Sequence, residues 1–68
     1  MKTTAEFTEF IFTNKAIALR FSRFVNYHLL ISMLGTAPEG YTVRVYTNGC
    51  AEFEIKAKRL YNKFIKSL

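Results

Sequence analysis

Few side chains in this sequence are suited to covalent or acid–base chemistry. The 68 residues include one histidine, His28, one cysteine, Cys50, five glutamates and no aspartate. A catalytic triad needs an acid that orients its histidine, and a zinc site needs several nitrogen, sulfur or carboxylate ligands together. His28 stands among Tyr27, Leu29 and Leu30, which is typical of a partly buried helical residue. The sequence therefore predicts a protein that is not an enzyme, with no catalytic residue, metal site or cofactor.

Basic side chains are the chemistry that the sequence offers in quantity. Ten lysines and arginines against five acidic residues give a net charge of +5 at pH 7. Such an excess favours anionic partners, which include nucleic acids, acidic protein surfaces and anionic lipids. Five of the ten basic residues lie between Lys56 and Lys66, with no acidic residue among them.

Arg20 and Arg23 are three residues apart in a stretch with helical periodicity, so they should share one helix face. Guanidinium, amide and phenol groups on an exposed helix can contact phosphates and base edges, although the arginines can equally be solvated surface charge. Lysines near the C-terminus would add attraction that does not depend on sequence and that weakens with salt. The predicted contacts to duplex DNA or to an acidic protein are Arg20, Arg23, Asn26, Tyr27, Asn48, Lys56, Lys58, Arg59 and Lys63.

Composition indicates a single domain over residues 1–68. Half of the residues are apolar and seven are phenylalanine, which argues against disorder, although the length is near the lower limit for one core. The lone cysteine cannot form an internal disulfide, and residues 1–9 do not resemble a signal peptide. The longest uncharged stretch, 24–38, is too short to span a bilayer. We expect a protein of the bacterial or host cytoplasm with no membrane partner.

The first half of the chain predicts helices. Thr3 and Glu6 have the spacing of a capping box, and the apolar residues that follow predict a first helix from about Thr4 to Phe12. Residues 15–34 keep a roughly helical rhythm, which fits either one long helix or two helices broken near Ser22. Gly35 suits the C-terminal cap of this region, and residues 36–40 read as a loop.

A β-hairpin is predicted next, because residues 41–46 and 50–56 alternate around Asn48 and Gly49. A two-residue turn would place glutamates against valines, so a three-residue loop with Gly49 in the left-handed conformation is preferred. This register pairs Val45 with Ala51, Val43 with Phe53 and Tyr41 with Ile55, and it sets Arg44 opposite Glu52 on the polar face.

After Ile55 the apolar period changes from two to about 3.6, which predicts a C-terminal amphipathic helix. Its apolar stripe is needed to cover the hairpin, which disfavours a role at a membrane surface. The stripe consists of Ala57, Leu60, Tyr61, Phe64, Ile65 and Leu68. The predicted fold class is therefore α+β, with N-terminal helices, a hairpin and a C-terminal helix.

This order of elements resembles the winged-helix family. The segment Phe53-Glu54-Ile55-Lys56-Ala57-Lys58 is similar to the run from a wing strand into the last helix. The spacing of Leu30, Met33, Leu34 and Gly40-Tyr41 resembles a recognition helix that leads into the wing, and Ile17-Ala18 resembles the start of the preceding helix. The length and wing spacing are also similar to those of small phage-encoded regulators of host transcription.

The resemblance implies a DNA-binding, transcription-associated regulator. The alternative that it leaves open is a phage-type inhibitor that blocks a host protein, such as RNA polymerase, a sigma factor or a defence component, through its aromatic and basic surface. Because Phe10, Ile11 and Phe12 are consecutive, one helix face cannot bury all three. Phe12 is therefore a candidate for an exposed contact in a homodimer.

Overall fold

The computed structural model describes residues 2–3 and 6–68, which form four strands and two helices. In chain order these are β1 (Lys2–Thr3), β2 (Phe7–Phe12), α1 (Lys15–Tyr27), β3 (Ile31–Ala37), β4 (Gly40–Tyr46) and α2 (Ala51–Lys66). The α+β class is confirmed. The predicted order of helices, hairpin and helix is not, because strands β1 and β2 precede the first helix.

The strands form one antiparallel sheet in the order β1-β2-β4-β3. Both β2 and β3 pair with β4, with Phe10 and Leu34 on either side of Val43. β2 and β3 are therefore parallel to each other, and α1 connects them as in a split β-α-β unit. Phe10 of β2 contacts Phe21 of α1 and Tyr61 of α2, at 5.1 and 4.7 Å between ring centroids. Both helices thus cover the same face of the sheet.

The helix predicted from Thr4 to Phe12 is wrong over residues 7–12, which form β2; residues 4 and 5 lie outside the described part of the chain. Thr8, Phe10 and Phe12 are buried, and the residues between them are half-buried. Because side chains two apart in a strand share a face, Phe10 and Phe12 both reach the core. Phe12 is only 7% exposed and lies 5.3 Å from Phe21, so its assignment as a dimer contact is also wrong.

Residues 15–34 form neither one continuous helix nor two helices. They contain helix α1 and, after a short turn, the first half of strand β3. α1 begins after Asn14, whose side-chain Oδ1 accepts hydrogen bonds from the backbone N–H groups of Ala16 and Ile17 at 2.8 and 3.2 Å. It ends at Tyr27, and Leu29 takes a left-handed φ of 68° before β3 begins. Gly35 therefore lies inside a strand and caps no helix.

Replacing Asn14 with alanine should lower the free energy of unfolding by about 1 kcal/mol, because two N–H groups of the first turn lose their acceptor. Urea unfolding followed by circular dichroism measures the change. Asn14→Ser retains an acceptor at the cap and should recover most of the loss. An equal loss in both variants would show that the cap is not what Asn14 contributes.

The hairpin lies one element earlier than predicted. It consists of β3 and β4, joined by a two-residue turn at Pro38-Glu39. The predicted strand at 41–46 is confirmed, but the one at 50–56 is wrong because Ala51 begins α2. Alanine, glutamate and lysine favour a helix here, and the two glutamates of the first turn complement the positive end of the helix dipole.

The predicted pairings across Asn48-Gly49 are therefore wrong as well. Gly49 has the expected left-handed backbone, with φ of 71°, but it links a strand to a helix. Val43 lies between Phe10 and Leu34, and Arg44 lies opposite Glu9. The segment 53–58, on which the winged-helix resemblance depended, lies wholly within α2, so that resemblance is not confirmed.

An aromatic cluster forms the centre of the core between the sheet and the helices. Phe21 is fully buried, and the rings around it lie with their centroids 5.1–5.7 Å away. These rings belong to Phe10, Phe12, Tyr61 and Phe64. The predicted stripe of the last helix is confirmed at its centre, where Ala57, Leu60 and Phe64 are buried, but Ile65 and Leu68 are exposed.

Candidate nucleic-acid interface

The two helices carry most of the charge of the protein. They hold eight of its ten basic residues and only two acidic residues, Glu52 and Glu54, which gives the helical layer a net charge of +6. Both glutamates lie in the first turn of α2. The basic residues are Lys15, Arg20, Arg23, Lys56, Lys58, Arg59, Lys63 and Lys66. The rest of the helical surface has no acidic group to repel an anion.

Arg20, Arg23 and Tyr27 line one open cleft of about 420 Å³ between the helices. The aromatic rings of Phe24 and Phe64, 5.8 Å apart, also line it. Both arginines are exposed, and Tyr27 is 82% exposed. Guanidinium groups on such a surface present planar sets of N–H donors that match phosphate oxygens. The structure thus brings together three of the residues proposed from the sequence.

Asn26 does not join this cleft. Its side-chain Oδ1 accepts a hydrogen bond of 2.8 Å from the Ser32 hydroxyl, which also contacts the Ser22 hydroxyl at 2.6 Å. This network connects α1 to β3. The amide of Asn26 therefore faces the helix–strand junction.

The basic residues of α2 form a row along the helix. Lys56, Arg59, Lys63 and Lys66 follow one another at spacings of three or four residues, so they lie on one side of the helix. Ser67, which lines the arginine cleft, is four residues after Lys63, so the row borders the cleft. This combined surface of Arg20, Arg23 and the α2 row is called the basic ridge below. Lys58 lies off this row.

Asn48 lies apart from the basic ridge, in the turn from β4 to α2. It has a left-handed φ of 51°, and its backbone N–H donates to the Glu6 carbonyl at 3.0 Å, as does that of Thr47. The sequence placed Asn48 at the tip of a hairpin wing. That placement is wrong, because the turn packs back against the chain before β2.

Sequence reasoning missed the face of the sheet that the helices leave open. Ile31 and Met33 are 72% and 55% exposed there. The Arg44 side chain donates to the Glu9 carboxylate at 2.9 Å and lies 4.8 Å from the centre of the Phe7 ring. The face is therefore largely apolar, and its central ion pair is close to neutral. The alternation at 7–12 was the signal that could have revealed it.

The two side chains that could have served in catalysis flank different helices, with His28 directly after α1 and Cys50 directly before α2. The His28 ring packs against Phe24 and Tyr27, at 4.9 and 5.4 Å between centroids. Cys50 is a half-buried free thiol that precedes α2. Within residues 2–3 and 6–68, no three histidine, cysteine or acidic side chains converge as metal ligands do.

Neither helix in the described ranges combines the length and the apolar character needed to cross a membrane. In comparisons with known proteins, no family model matches the sequence, and no curated protein or solved structure matches it either.

Proposed function

We propose that this protein is a small, non-enzymatic, transcription-associated regulator that binds duplex DNA through the basic ridge. The observation that supports the proposal is the segregation of charge: eight of ten basic residues lie on the helical layer, whose two acidic residues are confined to one end of α2. Phosphates are the anions that such an extended basic surface neutralises best.

The dimensions of the basic ridge suit a groove of DNA. From Lys56 to Lys66 the row rises by about 15 Å along the helix, at about 1.5 Å per residue. The major groove is about 12 Å wide, so this row is long enough to reach phosphates on both of its edges. Arg20 and Arg23 lie beside the row, where they can contact further phosphates or a base edge.

Fluorescence anisotropy with a labelled duplex tests the proposal. For about four phosphate contacts, the logarithm of the association constant should fall with the logarithm of the salt concentration at a slope of about −3.6. The double variant R20Q/R23Q should lower affinity about tenfold at moderate salt and make that slope shallower by about two.

The matched control is K15Q/K58Q, which removes the same charge from the helical layer but away from the basic ridge. Lys15 lies on the β3 side of α1, next to Leu34 and Thr36. This control should change the salt slope by less than about one. Equal losses of affinity in the two double variants would show that binding depends on net charge alone and not on the basic ridge. No binding even at low salt would refute the DNA proposal.

A second candidate function, inhibition of a host protein, is favoured by one feature of α2. Phe53 and Ile55 are 44% and 52% exposed, and they line a cleft of about 450 Å³ together with Lys56 and Arg59. A phosphate backbone would leave these apolar groups uncovered. An acidic, amphipathic surface of RNA polymerase, a sigma factor or a defence component would cover both kinds of group.

A pull-down from host-cell lysate, with and without nuclease, distinguishes the two functions. Capture that disappears after nuclease treatment supports DNA binding. The inhibitor function is supported if one protein is captured in a stoichiometric amount after nuclease treatment and if an acidic peptide competes with that protein for binding.

A further inference from the structure

Strand β3 has an open edge that lacks the usual protection against pairing. It is the last strand of the sheet and pairs with β4 on one side only. Its seven residues, Ile-Ser-Met-Leu-Gly-Thr-Ala, include no charge and no proline, and five of them are exposed. Natural edge strands normally carry charges, proline or a bulge that prevents pairing with another chain.

The hairpin geometry determines which backbone groups of β3 face outward. In a hairpin closed by a two-residue turn, the flanking pair is hydrogen-bonded, and hydrogen-bonded pairs then alternate along the strands. Ala37 and Gly40 flank this turn. Counting back from Ala37, the backbone groups of Ser32, Leu34 and Thr36 point away from β4. No other described segment makes a backbone hydrogen bond to these three.

We propose that this edge pairs with the same edge of a second copy of the chain, antiparallel about a twofold axis at Leu34. In this register Leu34 meets the partner's Leu34 and Ser32 meets the partner's Thr36, and each such pair exchanges two backbone hydrogen bonds. These are the residues whose backbone groups face outward. The two four-stranded sheets then become one continuous sheet.

The side chains of β3 are complementary to themselves in this register. On the open face, Met33 lies opposite the partner's Gly35 and Ile31 opposite the partner's Ala37, so each large residue meets a small one. On the helical face, the two Leu34 side chains meet beside a hollow of about 220 Å³ that is lined by Leu34, Ala18 and Tyr41 among others. Neither strand carries a charge that would repel its copy.

The alternative dimer, in which the open sheet faces stack, is disfavoured by the ion pair at their centre. Arg44 has a side chain that is 47% exposed next to Glu9, and stacking would remove this pair from water. Edge pairing leaves it solvated. Because β1 at the opposite edge has only two residues, pairing through β3 closes at a dimer and does not continue into a fibre.

Analytical ultracentrifugation over a wide range of protein concentrations tests the proposal. The wild-type mass should rise from monomer to dimer, and L34K should raise the dimer dissociation constant by about tenfold or more, because two lysines then face each other on the axis. Leu34 is 41% exposed, so the monomer should still fold, which circular dichroism verifies. I55K adds the same charge at a similarly exposed position on α2 and should leave the dimer intact.

A crosslinking experiment fixes the register. In a C50S background, L34C should form a disulfide-linked dimer on mild oxidation, because directly paired residues have Cα atoms about 5.5 Å apart. I55C in the same background should remain monomeric on a denaturing gel.

A wild-type protein that is monomeric throughout, equal effects of L34K and I55K, or no preferential crosslink at position 34 would each overturn the proposal. None of these measurements involves DNA, so their outcome is independent of the proposed function.

Discussion

Replacing Phe21 with alanine should remove a large part of the stability of the protein. The Phe21 side chain is fully buried, and four aromatic rings surround it at centroid distances of 5.1–5.7 Å. Truncating such a phenylalanine costs about 3–5 kcal/mol, from the lost transfer of the ring and from the cavity that remains. A domain of this size has a total stability of only about 3–10 kcal/mol, so the loss consumes a large part of it.

Urea unfolding at one fixed protein concentration, followed by far-ultraviolet circular dichroism, measures this loss. Phe53→Ala is the matched control, because it removes the same atoms from a side chain that is 44% exposed on α2. It should change stability by about 0.5 kcal/mol or less. A similar shift of the urea midpoint in both variants would contradict the central position assigned to Phe21.

The C-terminal helix was predictable because its information is local. Ala57, Leu60 and Phe64 are spaced so that only a helix brings them to one side, and these three are buried. What the sequence did not reveal is where the helix begins. The alternation of residues 51–55 fits a strand, yet their intrinsic preference is helical. Their predicted partner, β4, cannot pair with them because β2 and β3 already occupy both of its sides.

Strand β2 shows how one set of residues can satisfy two periods. Phe7, Phe10 and Ile11 have helical spacing, whereas Thr8, Phe10 and Phe12 have strand spacing. The second pattern is the one that is buried, and it includes a threonine that is completely inaccessible. A threonine carries little weight as a core signal, so pairing with β4, which is not local in sequence, decided the outcome.

Strand β3 was hidden for a different reason. As an exposed edge strand it has no buried alternation, and the apolar run that includes Met33 and Leu34 continued the helical rhythm of α1. Its conformation depends on β4 across the turn at Pro38-Glu39. From the sequence this turn was predicted only as a loop, because the Asn48-Gly49 pair is more typical of a hairpin turn.

The part of the candidate site that lies on one helix was predictable, whereas the arrangement between the two helices was not. Arg20 and Arg23 are neighbours on one helix, so their spacing alone placed them together. Their position beside the basic row of α2 depends on how the helices pack, which the sequence does not encode locally. Asn26 illustrates the limit, because only the position of Ser32 shows that its amide faces β3.

Of the three glycines, Gly40 would place an added Cβ closest to another backbone atom, and Gly40→Ala should cost about 3 kcal/mol or more. Its φ of +150° is one that other residues rarely adopt, and such a strained conformation alone costs about 1–3 kcal/mol. A Cβ atom at this position would lie 2.3 Å from the Phe12 carbonyl oxygen. That oxygen belongs to the backbone of β2, which is paired with β4 and anchored by the buried Phe12 ring, so the clash cannot be relieved by a side-chain rotation.

Gly49→Ala separates the two contributions. Gly49 has a φ of 71°, in the left-handed helical region, where alanine costs about 1–2 kcal/mol. The difference between the two variants in urea unfolding therefore reports the clash with Phe12, and we expect Gly40→Ala to be the more destabilised by about 2 kcal/mol. Equal losses would mean that β2 can move away from the start of β4. In that case, the close approach of Gly40 to the Phe12 backbone would not be what holds the Phe12 ring in the core.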